Sequence, residues 1–439
     1  MLSGGREGAV LKACESESVR SGSQEVSSVK LLFVTAAYPP MKAGEADHAY
    51  HQCMELAKRG LDVHVLTTES NTWPHEVPFT VHPIMRDWSW RDLPRFARFV
   101  RRCAPDHVFL FYIGWVYNFH AMITFAPTIC RALLPPHHFV TMFAYPMGSK
   151  FDRVSIMTRA IRKAMQWMVG SKEVDYAYGT LLRDSEAVIV MSDRHRRMLS
   201  EHAQAVGKKS VLIPPPPLLT LTGATNETAR ENTRKKLGLT MSHLVLVYFG
   251  WIYPPKGVET LLRAFHLVCR EQDCLRLVLI GGVIAQEYPN RRNFAEEMRE
   301  LPRQLGFDDQ VIWTGEFPTD SDEASRYLYA SDICVFPHDL GLYMNNSSFA
   351  AVAAHGLPIV ATRGDFVEEP FVNGENLVFC EPQSPESMAQ AIRRIIDDEN
   401  LRRRLAKGAQ ELAAEWFSWD KATDRIIELL VGGREGSKN

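Results

Sequence analysis

The segment 331–364, SDICVFPHDLGLYMNNSSFAAVAAHGLPIVATRG, constrains the fold more than any other stretch of the chain. An apolar run, ICVF, ends in a proline; a polar loop follows, then an alanine-rich helical run, a Gly-Leu-Pro turn and a second β-rich run, PIVAT. Strand, loop, helix, turn and strand make a βαβ unit, whose two strands lie parallel. Loops that leave the carboxyl ends of such strands and open a helix collect anions, because the first helical N–H groups lack intrahelical partners and the helix dipole is positive there. Ser347 and Ser348 open this helix, so a phosphate group is expected beside them, with plain N-capping as their other reading.

The same alternation runs through the chain. LLFVTAAYPP, the helical run HAYHQCMELAKRG and DVHVLTT form a first βαβ unit, and DHVFLFYIG, FHAMITFAPTICRALL, HHFVTMFAY and SEAVIVMS continue it. IPPPPLL and the polar stretch LTGATNETARENTRKKLGL then shift the composition, as a linker would. A second series follows: LVLVYFG, GVETLLRAFHLVC, LRLVLIGG, NFAEEMRELPRQLG, VIWTGEF, SRYLYAS, ICVFP, SSFAAVAAHG, PIVAT and ENLVFC. The fold class is therefore α/β, with two Rossmann-like, doubly wound parallel-sheet domains facing across a cleft. At 439 residues the chain suits two domains of about 200 residues each. The expected boundaries are a disordered tail over 1–28, a first domain over 29–215, a second over 216–415, and a C-terminal helix over 416–439 that packs back on the first.

Bulk composition narrows the partners. A hydrophobic fraction of 46%, a charged fraction of 23% and a net charge of −2 describe a soluble globular protein without a global field for nucleic acid. Eight cysteines are scattered without a C-x-x-C pair, which fits a reduced, cytoplasmic setting. No apolar run reaches the roughly 18 residues of a membrane span, and 1–28 has no signal-peptide core. No D-x-D pair and no His/Asp/Cys cluster has ligand spacing, so no metal site and no cofactor are expected.

Chemistry is expected at strand ends. VYFGWIYPPKGVETLLRAF delivers Lys256 just before a helix, where an ammonium can meet a diphosphate that also receives backbone N–H groups. Lys256 is the first choice of catalytic residue. Asp47 and His48 follow the glycine loop after the first strand and start its helix, where either could serve as base toward an acceptor hydroxyl. His120, after FYIGWVYNF, is a third candidate, or else a helix cap. Gly250 and Glu316 stand at further strand ends and Asn346 just before the serine-opened helix, and these three are assigned to the nucleotide or sugar.

VYFGWIYPPKGVETLLRAF, LRLVLIGG, VIWTGEFP, YASDICVFP, AAHGLPIVATRG and VNGENLVF, in this order and spacing, resemble the nucleotide-binding half of glycosyltransferase family 4, and AAYPPMKAGEADHAYHQCMELAKRGLDVHVLTT is similar to that family's opening. The resemblance covers roughly 29 to 430. It implies the GT-B fold and transfer of a sugar from a nucleoside-diphosphate-sugar donor, without metal and with retention at the anomeric carbon. It also implies that Lys256 and the amide of Gly44 meet the donor diphosphate, and that Glu368, which matches a glutamate the family often carries after this strand, touches the donor nucleotide or sugar. Four positions depart from the pattern. Trp251 replaces an arginine, Tyr343 and Ala351 replace two glutamates, and Phe143 stands where the family has a histidine. Ser347 and Ser348 instead resemble a divergent bacterial branch in which hydroxyl residues open this helix. These departures keep two alternatives open, a GT-B epimerase or hydrolase of sugar nucleotides and a nucleotide-sugar-binding protein without turnover.

The acceptor, whether a glycan, a lipid-linked sugar or a small molecule, is not legible. DWSWRDLPRFARFVRRC and RVSIMTRAIRKAMQWMVG mix arginine and lysine with Trp, Phe and Met at helical spacing. Such helices either rest on an anionic leaflet beside a lipid-linked acceptor, at the inner face of a membrane, or pack on the sheet with their arginines solvated.

Overall fold

The computed structural model describes residues 29–431 apart from 42, 71–75, 147–162, 164–166, 168–173, 176, 224, 285–292 and 319–320. The expected tail 1–28 and nearly all of the basic stretch 153–170 lie outside the described residues.

Two parallel sheets carry the chain. The first contains β1 (Lys30–Val34), β2 (Asp62–Thr68), β3 (Thr80–Met85), β4 (His107–Ile113), β5 (His138–Tyr145), β6 (Ala187–Val190) and β7 (Ser210–Leu212), in the order β3-β2-β1-β4-β5-β6-β7. The second contains β8 (Leu244–Phe249), β9 (Leu275–Ile280), β10 (Val311–Gly315), β11 (Ile333–Phe336), β12 (Ile359–Thr362) and β13 (Val378–Cys380), in the order β10-β9-β8-β11-β12-β13. All seven residues of β4 are buried, as expected of a central parallel strand covered on both faces. Strand order reverses between β1 and β4 in one sheet and between β8 and β11 in the other, so each sheet has a switch point where the loops above it diverge and leave a crevice.

Six helices matter for the site: α1 (Gly44–Lys58), α2 (Leu93–Cys103), α3 (Asp193–Ser200), α4 (Val258–Cys269), α5 (Ser347–Ala354) and α6 (Trp419–Val431). On α6, Ala422, Ile426 and Leu430 are spaced four apart and join the core of the first sheet, so the chain returns to the lobe in which it began.

The polar stretch read as a linker contains a helix, Glu227–Lys236, whose first turn is capped by the Asn226 side chain accepting from the Ala229 amide. Arg234 on it is 2% exposed and donates to the carbonyls of Ala330 and His243 and to the Asp332 carboxylate. A buried guanidinium needs every donor met, and these bonds dock the stretch on the second lobe. Among the described residues no helix is long and apolar enough to cross a membrane.

Candidate functional site

The second switch point brings the loop after β8 against the loop after β11. Gly250 ends β8 with φ +137°, and a Cβ there would lie 3.1 Å from Ser348 Oγ, so the strand end and the start of α5 are in close approach. The chain then makes a tight turn over Pro254–Lys256 and enters α4 through Gly257 at φ +67°, where a Cβ would stand 1.9 Å from the Pro337 carbonyl oxygen. The Asp339 amide donates to the Pro255 carbonyl at 3.0 Å. Backbone therefore locks the two loops together, and glycine at 257 permits it.

Lys256 stands at that junction, half-buried, with its Nζ 5.6 Å from the Tyr253 ring centroid. Among the described residues it forms no ion pair or hydrogen bond through Nζ. Burial alone pushes its ammonium down to about 8. The imidazole of His338, in the neighbouring loop, is held far below its usual value by burial and by the Lys256 charge, so it is neutral near pH 7. The result is one cation without a counterion beside a neutral imidazole.

Ser347 and Ser348 are the first two residues of α5, half-buried, and among the described residues their hydroxyls make no hydrogen bond. The cap is Asn346, whose Oδ1 accepts from the Phe349 amide at 2.9 Å. The Oδ1 of Asn346, a residue assigned in the sequence to the nucleotide or sugar, thus closes the helix. Ala351 is wholly buried inside the same helix, and Tyr343 points its hydroxyl at Asp365. Beside the switch point, a Cβ on Gly282 would sit 2.6 Å from both the Trp251 ring and Glu316 Cγ. Trp251 and the exposed Glu316 thus close over Gly282 and line up the ends of β8, β9 and β10.

At the first switch point the first turn of α1 has the carboxylates Glu45 and Asp47. Gly44 opens α1, half-buried, and a Cβ there would meet nothing within 4 Å, so the space beside it is open. Asp47 is half-buried in the first turn of α1. His48 is corrected outright as an accessible base. It is 3% exposed, with its ring 5.2 Å from Phe111 and 5.7 Å from Trp419 of α6. Burial, then the neighbouring His51, pushes it down to about 3, so it is a neutral packing residue under the returning helix. His120 is half-buried after β4, ahead of a short 3₁₀ turn over Ala121–Phe125 that its side chain does not cap. It adds to the field on Asp87, whose carboxyl is lowered chiefly by Ser89. The loop leading to it holds Asn118 at φ +50° and Phe119 at φ +55° and leaves Trp115 and Phe119 exposed. Two adjacent left-handed residues, one of them aromatic, are strain that functional loops concentrate.

Glu368 is the second clear correction. The sequence reads it as a loop carboxylate reaching the nucleotide; the structure buries it to 2% exposure. One oxygen accepts from the Arg194 amide of α3 at 3.2 Å, and the other accepts from the Met344 amide. Burial raises its pKa against the pull of these amides. His195, missed in the sequence, is 1% exposed and its Nε2 lies 3.0 Å from Asn345 Nδ2 in the loop before α5. Burial, then Arg194, lowers it to about 3, so the neutral ring accepts from the Asn345 amide. Its only sequence signal was position, in the S-D-R-H-R run after β6, with Ser192 capping α3 by accepting from the His195 amide. These contacts set the carboxyl ends of the two sheets face to face.

Comparison with known proteins agrees with this geometry. Residues 229–412 match the family model of glycosyl transferases group 1. A D-inositol 3-phosphate glycosyltransferase of Thermomonospora curvata is 29% identical over 209 residues, 47% of this chain and 46% of its own length. A lipopolysaccharide 1,2-N-acetylglucosaminetransferase of Salmonella typhimurium is 24% identical over 46% of this chain and 51% of its own length. The chain thus matches about half the length of these curated relatives. Among solved structures, sucrose-phosphate synthase from Thermosynechococcus elongatus aligns with a TM-score of 0.66 at 19% identity, covering 93% of this chain and 100% of that one. Anabaena HepE in complex with UDP and glucose aligns with a TM-score of 0.67 at 16% identity, covering 92% and 100%. Residues 229–412 are thus similar to the glycosyl transferases group 1 family, in a chain whose two parallel-sheet lobes have the GT-B fold.

Proposed function

We propose that this protein transfers a sugar from a nucleoside-diphosphate-sugar donor, held by the second lobe, to an acceptor held by the first. The observation that carries the reading is the unpaired Lys256 ammonium, locked by Gly257 beside the first turn of α5, where Ser347 and Ser348 offer hydroxyls and helix N-terminal amides. A diphosphate leaving group gains negative charge as the glycosidic bond breaks, and a fixed cation with oriented N–H groups stabilises that charge more in the transition state than in the ground state. Trp251, Gly282 and Glu316 provide a flat, partly polar face for the nucleoside beside it. The names of the relatives, and the UDP in the HepE structure, support a nucleotide-sugar donor.

In this reading the lysine and the helix amides take the charge-neutralising role, so transfer runs without a metal, and configuration is retained as the family resemblance implies. Asp47 and His120, at the first switch point, are the groups placed to take the acceptor proton, with the exposed Trp115 and Phe119 as an apolar wall. The free cysteines fit action in the reducing cytoplasm. Arg98, Arg101 and Arg102 are exposed on α2 and offer an anionic leaflet a basic face. Liposome sedimentation at low and high salt checks that contact, and absence of binding at low salt removes it.

The test of the activity is consumption of UDP-, GDP-, ADP- and TDP-sugars by the full chain, alone and with a panel of glycan, lipid-linked and small-molecule acceptors. Acceptor-dependent release of the nucleoside diphosphate is expected. Release that never depends on an acceptor, or none with any donor, contradicts it.

A further inference from the structure

The interface between the lobes is built on α3 of the first lobe and two loops of the second. Arg194 lies with its guanidinium 4.7 Å over the Tyr343 ring and 3.5 Å from the Asp365 carboxylate. Arg197, one turn on, lies 3.6 Å over the Phe366 ring. Tyr343 donates to Asp365, and the Asp365 amide donates back to the Tyr343 hydroxyl at 3.1 Å. The two second-lobe loops have no slack, since a Cβ on Gly364 would lie 2.3 Å from the Tyr343 hydroxyl and one on Gly341 would lie 2.3 Å from Gly364 Cα.

Glu368 is the part of this interface that neither lobe completes alone. Within the second lobe its buried carboxylate has the Met344 amide; the Arg194 amide comes from the other lobe, at the N-terminal end of α3 where the helix dipole favours an anion. A buried carboxylate with a missing donor is costly, so this group is at ease either with both lobes together or in water with the lobes apart. The same carboxylate fixes Met344, and His195 of the first lobe fixes Asn345, the next residue. Both immediately precede Asn346, Ser347 and Ser348 at the start of α5.

We propose that Glu368, together with α3, is a closure latch: docking of the first lobe sets the segment 343–348, so that the N-terminal turn of α5 takes its anion-binding form only when the lobes are together. Tyr343 has a part in it through its cross-lobe contact with Arg194. Glu368 is thus a positioning residue that acts through Met344. The proposal rests on the reading of α5 as the diphosphate site only for its consequence; the mechanical coupling stands on the contacts alone.

The experiment is amide hydrogen exchange on the unliganded full chain, comparing wild type with Glu368→Gln, Glu368→Ala and Arg194→Ala, followed by UDP titration of each. Removing Glu368 should speed exchange at least about tenfold in two segments from different lobes, 193–196 and 343–348, with Glu368→Gln between it and wild type because it keeps an acceptor oxygen. Arg194→Ala leaves the carboxylate and both amides in place, and should still speed exchange in 343–348 across the interface. Exchange that changes only on the mutated lobe, or an Arg194→Ala variant with 343–348 protected as in wild type, overturns the latch even if Glu368→Ala proves too unstable to study. Absence of UDP binding in every variant would instead count against the donor site while leaving the exchange result to judge the latch.

Discussion

Two loops occupy the same topological position, one in each sheet, and have opposite chemistry. The loop from β1 to α1 and the loop from β8 to α4 both rise from the first strand of their lobe beside a switch point. The second ends in Lys256, a cation without a counterion pressed by burial toward neutrality but still protonated at pH 7. The first leads into His48, a base that burial has made neutral between Phe111 and Trp419. The difference comes from what covers each loop. The returning helix α6 lies on α1 and removes His48 from water, whereas Lys256 is only half-buried. Topology decides where an anion could be gripped, and burial decides that Lys256 keeps a charge there while His48 does not.

Exchanging the glycines of these two loops should separate them most sharply. Gly257→Ala meets both a left-handed backbone and the Pro337 carbonyl, and is expected to cost about 2 kcal/mol or more in urea unfolding. Gly44→Ala enters open space and should stay within about 0.5 kcal/mol of wild type. Equal losses at the two sites would erase the distinction. Next in size, Lys256→Ala should lower kcat/KM for the donor at least tenfold, about 1.4 kcal/mol of transition-state stabilisation, and steady-state kinetics with an active donor measure it. Asn346→Ala removes the cap of α5 and should cost about 1 kcal/mol of stability by thermal or urea unfolding. Smallest of all, His48→Phe should change kcat/KM by no more than about twofold, ~0.4 kcal/mol. The same variant should lose stability less steeply with acid. A histidine lowered to about 3 in the folded chain favours the unfolded state as pH falls below about 6.5, and the substitution removes one such group. A large kinetic defect in His48→Phe would return the base to the first loop and undo the comparison.

Much of the architecture was legible because parallel strands covered on both faces read as apolar runs; LVLVYF and ICVF in the second sheet are unbroken, and LRLVLI is interrupted only by Arg276. The two strands that escaped notice lie at the edges of the first sheet. β3 has Pro83 within it and β7 is three half-buried residues, so neither has a buried face to impose a pattern. Lys256 was legible from a strand end and a following glycine, both local features. Asn346, Ser347 and Ser348 were located together, but which one would cap was not, since all three residue types can accept from the first turn. Glu368 and His195 were misread or missed for one reason: each has a hydrogen-bond partner in the opposite lobe. A Glu-Glu-Pro loop and an S-D-R-H-R run look solvated until α3 is laid against the loop before α5. What depends on contact between lobes is not written in the period of either one.

The central claim is that the Lys256 ammonium holds the anion, and calorimetric titration of nucleoside diphosphates at pH 7 and pH 9 tests it most directly. Because the free lysine titrates at about 8 and only its protonated form attracts a diphosphate, affinity should be full below that pH and fall about tenfold between the two measurements, with proton uptake on binding at pH 9. Lys256→Ala should abolish both the pH difference and the proton uptake. Equal wild-type affinity at the two pH values, or no binding of UDP, GDP, ADP or TDP at either, would contradict the account.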